Sequence, residues 1–282
     1  MTEIDLVERI RKQAGKSKIE LGIGDDCAIY RPRANEDLLF TTDYLIEDVH
    51  FTRDLYPPDA VGHKALARSL SDIAAMGGEP RFCLLSLALP QSTDKAWIDR
   101  FLAGFLKLAK RFRTTLGGGD LSRASKVTCD VMVCGAVPRG KALRRDGARP
   151  GDIIYVSGPL GKPWQTHLRP EPRLDLARKL RSRATSCMDL SDGISLDLSR
   201  LIKASQVGAF LDYVPVVKGS TIDQALHGGE DYELLYTMPK RMKPAEGSIR
   251  VGQITDGPLG QIEFQAAALE PLGHDHFRRK KK

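Results

Sequence analysis

Between Leu38 and Val137 the chain alternates between two hydrophobic periods, and this restricts it to an α/β architecture. Strand-like runs fall at Leu38–Thr42, Phe82–Leu89 and Val127–Val137. Val61–Met76 reads as a helix because Ala65, Leu66, Leu70, Ile73 and Ala74 recur at three- and four-residue spacing. Gly77, Gly78 and Pro80 stop it. Ala96–Arg111 is a second helix, with Trp97, Phe101, Phe105 and Leu108 on one face. The stretch Pro138–Asp152, rich in Arg, Lys, Gly and Pro, reads as a connection. It divides the chain into an expected first domain over 1–138 and a second over 139–282. In the second half, strands are expected at Ile153–Ser157, Thr185–Met188, Ala209–Val214, Glu233–Thr237 and Ile249–Ile254, with a helix over Ile194–Ala204. Lys162–Pro172 holds three prolines and no apolar period, and reads as a loop.

Composition narrows the function classes. Apolar residues form 41% of the 282, enough for a packed core and too many for a disordered chain. The net charge of +7 points toward polyanions, but Arg278, Arg279, Lys280, Lys281 and Lys282 supply five of those charges. The body is close to neutral, so specific nucleic-acid binding is not expected of the fold. No apolar run approaches the roughly 18 residues of a membrane span. The start, Met1 to Glu8, is polar, with no signal-peptide core. Five cysteines, odd in number and without C-x-x-C spacing, argue against a disulfide framework or zinc site and for a reduced, cytoplasmic protein.

The chemistry lies in the aspartates, which recur where strands are expected to end. Asp25 and Asp26 follow a Gly-Ile-Gly turn, Asp43 follows Thr41-Thr42, and Asp120 follows Gly117-Gly118-Gly119. Asp189 ends a strand, Asp192-Gly193 opens a helix, and Asp72 lies beside its helix's apolar stripe. Singly, each is as readily a turn or cap residue. Together, so many mutually repelling carboxylates call for bound cations, and hard oxygen ligands suit Mg²⁺. Gly158-Pro159-Leu160-Gly161-Lys162-Pro163 is not a P-loop, since it lacks the glycine spacing and the Ser/Thr after Lys. Gly22-Ile23-Gly24 lacks the third glycine of a dinucleotide loop.

Several segments, in order along most of the chain, resemble the thiamine-monophosphate kinase family, of the superfamily that includes aminoimidazole ribonucleotide synthetase and selenophosphate synthetase. They are Gly22–Ala28, Thr41–Asp43, Val49–Phe51, Lys64–Ala67, Leu70–Gly77, Gly118–Asp120, Arg145–Ala148, Met188–Gly193 and Gly228–Leu234. The resemblance implies a two-domain α/β (α+β) fold of the aminoimidazole ribonucleotide synthetase type. Its N-terminal sheet domain would form a homodimer and its C-terminal domain would be α/β. It implies transfer of the γ-phosphate of ATP onto thiamine monophosphate, with several Mg²⁺ ions. By the same resemblance Asp26, Thr41, Thr42, Asp43, Asp72, Asp120, Asp189 and Asp192 form the Mg²⁺ shell, of which Asp43, Asp72, Asp120 and Asp189 are the catalytic core. Gly119, Asp120, Arg145 and Ser191 contact ATP, and His50, Glu230 and His274 contact the thiamine phosphate. A phosphate acceptor, with a second pKa near 6, needs no general base, in keeping with the absence of a base motif.

The chain departs from the family in two places. A helix and loop are missing near 161–172, and His274 stands where an aromatic residue would stack on thiamine. Two alternatives follow: a trimmed paralogue that binds nucleotide or thiamine phosphate with little turnover, and a superfamily enzyme with another acceptor.

Overall fold

The computed structural model describes residues 3–16, 18–23, 27–162 and 167–274. The backbone forms two compact units, one of Met1–Ile73 with Gly78–Gly140, the other of Ala74–Gly77 with Lys141–Lys282.

The first unit contains helices α1 (Glu3–Ala14), α2 (Pro58–Ala75) and α3 (Lys95–Arg111) and strands β1 (Glu36–Ile46), β2 (Glu79–Leu89), β3 (Thr115–Arg123) and β4 (Thr128–Pro138). The sheet order is β1-β4-β2-β3, with β2 and β3 parallel and β4 antiparallel to both β1 and β2. Since β1 and β2 run the same way, both helical connections are crossovers from a strand to a strand of like direction. Asp94 caps α3 by accepting the Trp97 N–H. Phe101, Leu102, Phe105 and Leu108 of α3 and Leu66, Leu70 and Ile73 of α2 are buried in the core, at the period that the sequence shows.

Two expectations change here. Asp43 and Asp120 lie inside strands, not at their ends. Thr-Thr-Asp does not stop β1, because Tyr44, Leu45 and Ile46 continue the strand and pair with Asp130, Cys129 and Thr128. The triple-glycine run is strand because β2 pairs along it. A Cβ on Gly119 would lie 1.9 Å from the Leu85 carbonyl oxygen, so the missing side chain admits a neighbouring strand.

In the second unit, β5 (Asp152–Val156), β6 (Ser186–Asp189), β7 (Gly208–Leu211), β8 (Leu234–Pro239), β9 (Ile249–Thr255), β10 (Ile262–Phe264) and β11 (Ala267–Ala268) form one mixed sheet, in the order β11-β10-β7-β9-β5-β8-β6. Helices α4 (Leu174–Leu180), α5 (Ile194–Ser205) and α6 (Ile222–His227) accompany it. Leu198, Leu201 and Ile202 of α5 join Ile154, Val156, Leu235 and Val251 of the sheet in a single apolar core. The elements α4, α6, β10 and β11 are too short to be read from periodicity, whereas α1, as long as α5 and with Ile4, Leu6, Val7 and Ile10 at helical spacing, is a helix that the sequence reading did not include. Residues 168–172 are neither helix nor strand. No helix among the described residues is long and apolar enough to cross a membrane.

Candidate active site

In the first unit the site is organised by one row of α2. Lys64, Arg68 and Asp72 stand at four-residue intervals, so they share a face. Each meets β1 or the loop after it. Lys64 is fully buried, donates to the His50 carbonyl at 3.1 Å and lies 5.5 Å from the Tyr56 ring centroid. Arg68 donates to the Tyr44 carbonyl at 2.8 Å and pairs with Asp43 at 3.3 Å. Asp72 accepts the Thr41 hydroxyl. Ser69 anchors the helix to β4 through a buried bond to the Val131 carbonyl. His50 accepts the Ile46 N–H on Nδ1, which assigns the proton of the neutral ring to Nε2.

Thr41, Asp43 and Asp72 are thus brought together on the helix side of the sheet. Thr42 alternates to the opposite side, where its hydroxyl donates to Asp130. Tyr44, Asp130, Ser86 and Asp120 lie in one row across the four strands, which puts Asp120 on the Thr42 side. The expected ligands of this unit therefore form two sets, one on each face. A cavity of about 870 Å³ touches the Asp120 set, with Val7 and Ile10 of α1, Leu84, Ser86, Met132 and Cys27 in its wall. Asp26 lies outside the described residues.

In the second unit Asp189 is buried at the end of β6 and Asp192 follows in the loop that enters α5. Asp192 accepts Arg200, and its backbone N–H donates to Asp197. Asp197 is fully buried. Burial, aided by the charges of Asp192 and Asp189 and opposed by the backbone bond from Asp192 and the charge of Arg200, pushes its pKa up to about 7. Ser191 accepts the Glu230 N–H at its carbonyl, 2.7 Å away, and His274 donates its backbone N–H to the Asp192 carbonyl at 3.1 Å. Ser191, Asp192, Glu230 and His274 thus gather in one cluster of loops. Arg145 is exposed, and its carbonyl accepts the Ser205 hydroxyl.

Glu230 and Tyr232 adopt left-handed backbone conformations, with φ of 67° and 50°. Such residues cost about 1–3 kcal/mol each and persist where the surroundings hold them, as they do at ligand sites. His167 Nδ1 lies 3.6 Å from Glu230 Oε2. Just beyond, the fully buried Glu233 accepts Arg173, Lys162 and Ser157. Asp231 accepts the backbone N–H groups of Gly161 and Lys162, and burial raises its pKa to about 6.

Lys64 and Glu233 lie in the motif segments Lys64–Ala67 and Gly228–Leu234 but were given no role, and Arg68, Arg200, Asp197 and His167 were not singled out from the sequence. For Arg68 the signal was the four-residue spacing of Lys64, Arg68 and Asp72 on one helix. Among the described residues no group of three or more His, Cys, Asp or Glu side chains is close enough to hold a metal ion by itself.

Comparison with known proteins places this geometry in a family. Residues 24–137 match the model of the AIR synthase related protein, N-terminal domain. The thiamine-monophosphate kinase of Escherichia coli K12 is 35% identical, with 98% of each chain covered. That of Bacillus subtilis is 34% identical over 99% of this chain and 100% of its own. The alignment with the Escherichia coli chain spans 321 positions against 282 residues here, so that relative has segments with no counterpart in this chain. Among solved structures, thiamine-monophosphate kinase from Stenotrophomonas maltophilia superposes with a TM-score of 0.83 at 35% identity, covering 95% of this chain and 98% of its own. AaThiL complexed with AMPPCP and TMP gives 0.81 at 33% identity, covering 98% and 97%. The hydrogenase maturation protein HypE, at 20% identity and a TM-score of 0.78, shares the fold.

Proposed function

The chain belongs to the thiamine-monophosphate kinase family, and we propose that it phosphorylates thiamine monophosphate to thiamine diphosphate by in-line transfer of the γ-phosphate of ATP. The observation that carries this reading is near-full-length similarity, at 33% identity, to a protein whose structure is described with AMPPCP and TMP. The placement of the acids supports it.

Magnesium fits the residues present. The donors are hard oxygens: Thr41, Asp43 and Asp72 on one face, Thr42 and Asp120 on the other, and Asp189 and Asp192 in the second unit. With at most a few carboxylates in each set, water and nucleotide phosphate would complete the coordination, as is usual for Mg²⁺. When bound, the ions would neutralise phosphate charge and relieve repulsion between donor and acceptor. The chain's own part is to position. Arg68 and Arg200 hold Asp43 and Asp192 in place by charge. The cavity beside Asp120 has a volume suited to a nucleotide base. Gly119, Arg145 and Ser191 are read as ATP contacts, and His50, Glu230 and His274 as acceptor contacts, with the strained Glu230 backbone in support.

Phe40 and Tyr44 are 65% and 59% exposed on the sheet face away from α2, and a second copy covering this face would give the dimer. The free cysteines are in keeping with a reduced, cytoplasmic setting.

The test is incubation with ATP, Mg²⁺ and thiamine monophosphate. Thiamine diphosphate and ADP formed one for one support the reading, and nucleotide binding without product favours the trimmed paralogue.

A further inference from the structure

Beside the loops that carry Ser191, Asp192, Glu230 and His274 lies a polar relay centred on one buried hydroxyl. Ser195, the second residue of α5, is fully buried. Its Oγ is 2.8 Å from Nδ1 of His227, the last residue of α6, and it donates to the Leu272 carbonyl at 3.3 Å. A hydroxyl has one proton. If that proton goes to Leu272, His227 must donate from Nδ1, and the relay runs His227 Nδ1–H to Ser195 Oγ–H to the Leu272 carbonyl.

Each member stands next to one of the loops. Ser195 follows Asp192 and Gly193, His227 precedes Gly228-Gly229-Glu230, and Leu272 precedes Gly273-His274. The same loops meet on the other side through the Glu230-to-Ser191 and His274-to-Asp192 backbone bonds. The approach is close. A Cβ on Gly229 would lie 2.5 Å from the Ser191 carbonyl oxygen, and one on Gly273 2.5 Å from that of Asp192. The bonds of Ser195 thus tie the loops of Glu230 and His274 to α5, and their loss lets those two loops shift against the Ser191-Asp192 loop that α5 itself anchors.

We propose that His227, acting through Ser195, is a positioning residue that sets the spacing of Glu230 and His274 for the thiamine phosphate acceptor. This rests on the reading that those two residues contact the acceptor. The loss should appear in acceptor binding more than in nucleotide binding.

The test is steady-state kinetics on S195A, H227L and H227N, with thiamine monophosphate binding by calorimetry and folding by thermal melting. S195A and H227L should raise the acceptor KM and Kd about tenfold, the worth of one hydrogen bond, with the ATP KM within about twofold of wild type. In H227N the amide N–H stands where Nδ1–H stood, and acceptor affinity should return to within about threefold of wild type. Unchanged acceptor KM and Kd in folded S195A and H227L overturn the proposal, as does a parallel rise in both substrates' KM, or H227N behaving like H227L. A wild type that makes no thiamine diphosphate overturns the functional reading itself.

Discussion

Arg173 grips Glu233 with two nitrogens, Nε at 2.7 Å and Nη2 at 2.6 Å, and the carboxylate they hold has no exposure to solvent. Burial alone would drive Glu233 toward its neutral form. The hydrogen bond from Arg173 and the charges of Lys162 and Arg173 outweigh burial and hold its pKa below the ordinary carboxylate value. Removing Arg173 leaves a buried charge with Lys162 as its remaining cationic partner. R173A should therefore lose about 3 kcal/mol of stability, measured by urea unfolding at neutral pH. Because the folded pKa is depressed, the pair's contribution is present above the unfolded value of 4.5 and is lost as pH falls through the folded value. The gap between R173A and wild type should thus narrow on acidification below that value.

Asp231 has the opposite sign. Burial raises its pKa from 3.8 to about 6, so its stability contribution is fully present below 3.8 and is lost as pH rises through 6. Asparagine keeps an acceptor for the Gly161 and Lys162 N–H groups and removes the charge. D231N should melt at a higher temperature than wild type at pH 8, with the difference vanishing near pH 4. Equal melting temperatures at pH 8 would show that Lys162 fully compensates the buried charge.

Thr41 and Asp72 are hydrogen-bonded on one face of the first sheet, whereas Thr42 lies on the other. A double-mutant cycle on the Mg²⁺ concentration for half-maximal activity should find T41A and D72N coupled by about 0.5–3 kcal/mol, while T42A and D72N add. D72N should need more Mg²⁺ and regain part of its turnover when Mg²⁺ is raised. Full activity of D72N at low Mg²⁺ would remove Asp72 from the metal shell.

Cys27 is exposed and lines the cavity beside Asp120, whereas Cys83, Cys129, Cys134 and Cys187 are buried. Burial pushes the thiol of Cys129 up to about 12 and that of Cys134 to about 11, far from the thiolate range. A thiol reagent should titrate one group in the native chain and five after denaturation. If the cavity takes the nucleotide base, ATP should slow the native reaction. An unchanged rate at saturating ATP would place the base elsewhere.

Long elements were legible because their burial repeats. α2, α3 and α5 show apolar residues at helical spacing, and β2 and β4 are largely apolar runs, since periodicity and propensity act locally along the chain. The ordered motifs likewise marked Asp72, Asp189, Asp192 and Glu230 and the family to which they belong. Other features depend on partners distant in sequence. β1 runs on past Asp43, and the Gly117–Gly119 run is strand, because β4 and β2 supply their hydrogen bonds. The division of Thr41 from Thr42, the cations Arg68 and Arg200 beside Asp43 and Asp192, and the bond from Ser195 to His227 arise only when strands register and loops close. Sequence alone determined the family and the long elements α2, α3, α5, β2 and β4, because those follow from ordered motifs and local pattern. Tertiary structure decided which carboxylate meets which cation and on which face, because such contacts join residues far apart in the chain and depend on sheet register and burial.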